Sequence, residues 1–341
     1  MTAAADGATA VEAPAVKRQA TVARGAAQAT QLLGVGGFYV ILIVFFAAKA
    51  ENFLTAPNAV NIFSNIAILG IVALGQAIVL ISGGFDLSVS GTVPLGGIIY
   101  VELVNHGQNM FVAIAVAVAA GLVVGAANGF IITVLGINPL ITTLATVSII
   151  GGLAFTVSNG LTVTLTNPDD APMGLNLWGM PRYVWMMFLL AIIAFVALRY
   201  TVFGRVLYSV GGNREAARLA GIRTNGITTL VYVLSGLLSS FAGVMLAHQL
   251  LAGAPSVGAT MGLQSITAVI LGGASLAGGT GGIPGTLLGV LVIGTVANGL
   301  ALMQVPTFYQ QIATGAILLL AVGLGRVRGT VERAIWARSA P

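Results

Sequence analysis

Residues 110–120 read MFVAIAVAVAA, eleven consecutive positions without a polar side chain. A membrane-barrel strand alternates lipid-facing and lumen-facing residues. This run cannot do so, and it fits a helix. No Asp, Glu, Lys or Arg occurs from Leu103 to Pro168, nor from Thr224 to Gly325, a run of 102 residues. A spanning helix takes about 20 apolar residues, so the longer run holds about four spans joined by short turns. Lipid offers backbone amides no partner, which leaves closed barrels and helices as the only spanning structures.

The rest of the 341-residue chain agrees. Hydrophobic residues make up 57% and charged residues 7%, against about 25% charged in a soluble domain; the mean hydropathy is +1.00. That composition excludes a soluble enzyme, a disordered chain and a nucleic-acid-binding domain. The 46 glycines suit helices that pack closely or break. With no Cys, disulfides, thiolate metal sites and Cys nucleophiles are excluded.

The expected fold is an all-α polytopic membrane protein of about ten helices, at 31–48, 59–82, 87–104, 110–135, 139–159, 183–200, 225–249, 263–278, 283–303 and 309–325. Basic residues concentrate in cytoplasmic loops. With both termini cytoplasmic, 12 of the 14 Lys and Arg fall inside, and only Lys49 and Arg182 fall outside. Residues 1–30 read as a flexible cytoplasmic tail, 31–325 as the transmembrane domain and 326–341 as a second cytoplasmic tail. Ala48-Lys49-Ala50 faintly resembles a signal-cleavage site, but the 30-residue tail before it is longer than a signal peptide's basic region.

Local chemistry narrows the function. A P-loop needs Lys after Gly, and neither lysine, Lys17 or Lys49, follows Gly. His106 and His248 are too few for a zinc site with these scattered carboxylates. No catalytic constellation, cofactor site or metal site is expected in this chain.

Three segments stand out. In the longest cytoplasmic loop, 201–224, Gly211-Gly212 reads as a turn and Asn213 as the N-cap of a short helix over 213–220. Glu215 sits in its first turn, Arg218 is placed to pair with it, and Gly221 can end it. This helix is either a solvated loop or a docking element. Asp86, after Gly83-Gly84, reads either as a cap on the following span or as a gating group. The segment 270–285 weakly repeats the first break: Ile81-Ser82-Gly83-Gly84 matches Ile270-Leu271-Gly272-Gly273, and Leu87 matches Leu276. Two Gly faces, Gly121/Gly125/Gly129 and Gly281/Gly285/Gly289, read as close helix packing or a dimer interface. Amides within spans are the candidates for a solute pathway: Asn61, Asn65, Gln76, Asn128, Gln264 and Asn298. Asn65 and Gln76 share one side of their helix, 11 residues apart and about 20° from alignment. Loop 160–182, with Asp169, Asp170 and Trp178, is the largest external segment.

Residues 211–222, GGNREAARLAGI, resemble the cytoplasmic coupling motif of ABC sugar importer permeases, the ribose-type branch above all. Residues 83–90, GGFDLSVS, resemble that branch's GG-I-D-L-S-V-G signature, with Phe85 for Ile and Ser90 for Gly. Ile270 through Gly285 and Asn298-Gly299-Leu300 resemble its late glycine-rich block. The resemblance covers about residues 35–325 and implies an ABC importer permease fold in a bacterial inner membrane. It further implies a sugar or sugar-like polyol as solute, a second permease chain as partner, and a periplasmic or lipoprotein solute-binding protein. ATP and Mg would be held by a separate ATPase subunit. Under it Gly212, Asn213, Arg214, Glu215, Ala216, Ala217, Arg218 and Gly221 form the coupling element, and Gly83, Gly84, Asp86, Leu87 and Ser88 a gating or structural motif. The alternative is an ion-coupled secondary transporter with Asp86 as its coupling carboxylate. A channel or scaffold explains fewer of these segments.

Overall fold

A computed structural model describes residues 33–317 together with 319, 320 and 323. The tails expected at 1–30 and 326–341 lie outside the described residues. The described chain is mainly helical. Helices run as α1 (Leu33–Lys49), α2 (Ala56–Ile81), α3 (Val89–Asn105), α4 (Met110–Thr133), α5 (Pro139–Val157), α6 (Arg182–Tyr200), α7 (Val202–Gly212), α8 (Arg214–Leu219), α9 (Thr224–Leu250), α10 (Met261–Leu271) and α11 (Ile283–Leu302). A further helix follows from 307 to 317. Six of them, α2, α4, α5, α6, α9 and α11, are long and apolar enough to cross a membrane, and α1, α3 and α10 are shorter apolar helices.

The layering follows from side-chain size. α2 is buried without interruption from Ile66 to Ile81, and most of α9 is buried beside it. α4, α5 and α6 expose most of their apolar surface, as helices facing lipid do. Glycine sets the tightest approaches. A Cβ on Gly121 or Gly125 would overlap the carbonyl oxygens of Gly236 and Tyr232 on α9, and one on Gly129 would lie 2.8 Å from Thr229 Cα. Cβ atoms on Gly285 and Gly289 would overlap the Gly272 and Ala268 carbonyls at α10. Both glycine faces are therefore filled from within the chain, which overturns the dimer-interface reading. Gly281 precedes α11, so it is not on that helix's face.

Two segments differ from expectation. The span expected at 263–278 is helical only over the 11 residues Met261–Leu271, about 16 Å at 1.5 Å per residue, half the hydrocarbon thickness. Ahead of it, 251–260 is mostly non-helical and packs at mid-depth of α3. A Cβ on Gly253 would lie 2.9 Å from Ile98 Cα, and one on Gly258 would lie 3.2 Å from Val93 Cγ1. Ala252–Gly253 (β4) pairs antiparallel with Val163–Thr164 (β1), which satisfies part of this backbone. Second, Gly211-Gly212 is not a turn. α7 continues through both glycines and only then breaks at Asn213.

The end of the bundle carrying β1 and β4 is pinned by polar contacts. The Tyr100 hydroxyl donates to the Asp170 carbonyl, and the His248 ring stacks on Tyr100 at 4.7 Å. His248 Nδ1 faces the Val244 carbonyl at 2.8 Å. Asn176–Leu177 (β2) and Met180–Pro181 (β3) form a hairpin with Trp178 at its tip. Exposed His106 lies 3.6 Å from half-buried Glu102.

Candidate coupling and gating site

At the opposite end the three outstanding segments meet. α2 ends in a Schellman cap: Ser82 is the C-cap, Gly83 follows at φ +85°, and Gly84 N–H donates to the Val79 carbonyl at 3.0 Å. The positive φ favours glycine there. The Ile81 carbonyl accepts from Gly279 N–H at 2.9 Å, and a Cβ on Gly211 would overlap that same carbonyl. A Cβ on Gly278 would lie 2.8 Å from Gly83 Cα and 2.8 Å from the Gly211 oxygen, and one on Gly279 would lie 2.7 Å from Gly212 Cα. The Tyr208 hydroxyl adds a bond to the Gly281 carbonyl at 2.8 Å. Burial pushes the Tyr208 phenol above its ordinary range, so it stays a donor. The end of α7 is thus wedged, backbone against backbone, between the α2–α3 break and the α10–α11 break.

α8 projects from that wedge. The Asn213 side chain accepts from Ala216 N–H at 3.0 Å. The Glu215–Arg218 pair closes at 2.6 Å with both groups exposed, and the Arg218 guanidinium holds the Glu215 carboxyl below its ordinary range. At the far end Ala220 is the C-cap. Gly221 follows at φ +83°, and Ile222 N–H reaches the Ala217 carbonyl at 3.1 Å. Gly221 therefore stands one position beyond the cap. Arg214 reaches Asn225 at 3.0 Å, which ties α8 to the start of α9. Ala217 is buried, while Arg214, Glu215, Ala216 and Arg218 are exposed. The result is a short, capped, charged helix with a free outer face.

Asp86 is not the cap of α3. That position is Ser88, whose own side chain makes no capping bond. The carboxylate is completely buried. Its Oδ1 accepts from the Ser88 N–H at 2.9 Å and from the Ser88 hydroxyl, and its Oδ2 accepts from the Ser235 hydroxyl of α9 at 2.6 Å. The Ser88 hydroxyl accepts from Asn128 Nδ2 of α4 at 2.9 Å, and Asn128 Oδ1 accepts from the Thr146 hydroxyl of α5 at 2.6 Å. Tyr232 of α9 donates to the Phe85 carbonyl at 3.1 Å. A cavity of about 270 Å³ lies beside this segment, lined by Gly83, Phe85, Asn138, Pro139 and Leu140. Leu87 packs half-buried at the core's edge, and its carbonyl lies 3.3 Å from where a Gly262 Cβ would sit.

The pathway candidates do not gather in one place. Asn65 is exposed and accepts from Gln249 at 3.4 Å, whereas Gln76 is completely buried. The two share a helix side but not a common surface, since Asn65 is exposed and Gln76 is enclosed in the core. Both polar atoms of the Gln76 amide lack a partner among the described residues. Asn298 donates to Asn58 at 3.0 Å and leaves its Oδ1 unbonded. Asn128, weighed as a pathway amide, belongs instead to the Asp86 network. Ser235, Thr146 and Tyr232 went unnoticed in the sequence. They are common residues in apolar helices, and Ser235 meets Asp86 across 149 residues of chain.

The family described as branched-chain amino acid transport system / permease component matches residues 58–322. The L-arabinose ABC transporter permease protein AraH of Azospirillum brasilense is 38% identical over 309 residues, covering 89% of this chain and 91% of that protein. The ribose import permease protein RbsC of Escherichia coli K12 is 37% identical over 288 residues, 83% of this chain and 89% of its own. RbsC of Bacillus subtilis is 38% identical over 289 residues, 84% and 90% of the two chains. No solved structure matches. With a helical membrane fold, a wedge built from the three outstanding segments, and a family match from the second helix to the last described one, the chain belongs to the branched-chain amino acid transport system / permease component family.

Proposed function

We propose that this chain is the transmembrane permease subunit of an ABC importer for a sugar or sugar-like polyol, worked by ATP hydrolysis on a separate subunit. One observation carries the reading. α8 stands exposed on a wedge that touches two helix breaks at once, so a push on α8 reaches the bundle without passing through a flexible loop. The family title names branched-chain amino acids, but the relatives described above are named for ribose and L-arabinose, and the two solute classes need different chemistry. An amino acid brings two charges, yet apart from Asp86, whose oxygens are already bonded, and His248, the buried polar side chains of this chain are hydroxyls and amides. Gln76 is enclosed with its amide unbonded, a costly state of about 1–3 kcal/mol. That cost is recovered when an opening pathway presents the amide to a hydroxylated solute. Asn298 has the same spare oxygen.

In this reading the ATPase subunit holds ATP and Mg and docks on Asn213 to Arg218. A solute-binding protein approaches loop 160–182, a second copy of the chain completes the pathway, and ten helices place both termini in the cytoplasm of a bacterial inner membrane. Ion-coupled transport finds no support in the family. The test is solute uptake into vesicles holding this chain, with and without an ATPase subunit and a binding protein, under collapsed ion gradients. Uptake of a pentose or polyol that requires both partners and ATP is expected. Uptake by the chain alone, lost when the gradients collapse, would overturn the reading.

A further inference from the structure

We propose that the Asp86 carboxylate is a strut, a positioning group that carries displacement of the α7–α8 corner into α4, α5 and α9. This rests on the importer reading. A local turn accounts only for the carboxylate's bonds to Ser88. The bond from Ser235 fixes α9 to the segment 82–88, and the Ser88–Asn128–Thr146 relay fixes α4 and α5 to the same point. Three residues upstream of Asp86, Gly83 lies against Gly278, which lies against Gly211. The route from α8 to α9 is therefore continuous: the end of α7, the α2–α3 break, Asp86 and Ser235. The first links are backbone packed on backbone and the last are buried side-chain hydrogen bonds, so displacement is passed on for as long as those bonds hold.

The strut is geometric, not ionic. Among the described residues no Lys, Arg or His lies within ion-pair distance of Asp86, and the carboxylate's partners are hydroxyls and an amide N–H. What α9 and Ser88 require is two polar atoms at the spacing of a carboxyl group. Asparagine keeps that spacing. Its Oδ1 can accept from Ser88, and its Nδ2 can donate to the Ser235 oxygen once that hydroxyl turns.

The experiment uses the full chain assembled with its ATPase subunit and a solute-loaded binding protein in lipid vesicles, comparing Asp86→Ala, Ser235→Ala and Asp86→Asn. The alanine variants are expected to assemble and keep basal ATP hydrolysis. Ser235→Ala should lose about tenfold in uptake and in stimulation of hydrolysis by the loaded binding protein, the scale of one hydrogen bond, and Asp86→Ala, which removes three, at least as much. Asp86→Asn is expected to stay within about twofold of the original chain, since it restores both bonds. An assembled Asp86→Asn complex as inactive as Asp86→Ala would overturn the strut and make the charge essential. Alanine variants that are stimulated normally would overturn it as well. If Asp86→Ala fails to fold, Ser235→Ala decides, because it removes only the bond to α9. An original chain that takes up solute without ATP would instead sink the importer reading.

Discussion

The α2–α3 break and the α10–α11 break end their helices in the same way. In the first, Ser82 is the C-cap, Gly83 takes φ +85°, and the amides of Gly83 and Gly84 return to the Leu80 and Val79 carbonyls. In the second, Gly272 is the C-cap, Gly273 takes φ +102°, and the amides of Gly273 and Ala274 return to Ile270 and Val269. The structure thus pairs Gly83 with Gly273, one position off the register that matches the letters Ile-x-Gly-Gly, so Leu87 and Leu276 are not counterparts. After the cap the two diverge. The first break places a buried carboxylate where the second places the partly exposed Leu276, and the second continues into Gly278, Gly279 and Gly281, which receive the end of α7. The first break carries the buried side-chain network and the second the glycine surface on which α7 ends, and the wedge needs both.

That comparison can be broken. The largest effect is expected from Gly211→Val, whose side chain would overlap the Ile81 carbonyl and press on Gly279 N–H, 2.7 Å from the added Cβ. Overpacking of this kind costs about 1–3 kcal/mol. Uptake should be lost, and thermal unfolding of the purified complex should shift down. Unchanged uptake would mean the wedge is not needed. Next, Gly83→Ala and Gly273→Ala should each cost about 1–2 kcal/mol, and equally, because both glycines occupy the same left-handed position. Markedly unequal losses in a chemical unfolding series would show that the shared cap does not make the breaks equivalent. A smaller effect is expected at the corner itself: Asn213→Ala removes the cap of α8 at about 1 kcal/mol, read as faster hydrogen exchange over 214–219. The smallest concerns the exposed Glu215–Arg218 pair. Its carboxyl sits below its usual range in the folded chain, so the pair's contribution is present at neutral pH and fades as pH falls through that lowered value. Glu215→Gln should therefore loosen α8 slightly at pH 7, more in low salt, and not at all at acid pH, as exchange rates would show.

Apolar helices announce themselves because lipid demands a long uncharged run, and α2, α4, α5, α6, α9 and α11 lie within a few residues of where that rule puts them. The rule fails where the run is apolar for another reason. Residues 272–282 continue the low charge of α10 while folding as a glycine-rich loop, so the helix looked longer than it is. Helix α7 was read as loop because its Gly211-Gly212 serves a close approach and not a turn. The capped helix after it was legible, since Asn213, Glu215 and Arg218 act within one turn of one another. The Asp86 network was not. A hydroxyl on an apolar helix shows nothing in sequence of which carboxylate it will meet.

The short α10 has an electrical consequence. Its 11 residues and the irregular 251–260 segment, seated at mid-depth of α3, leave part of the bilayer's thickness without continuous apolar helix. Irregular backbone survives at that depth only inside protein or beside water. Where water reaches it, the membrane voltage falls across a thinner layer than the lipid alone would set.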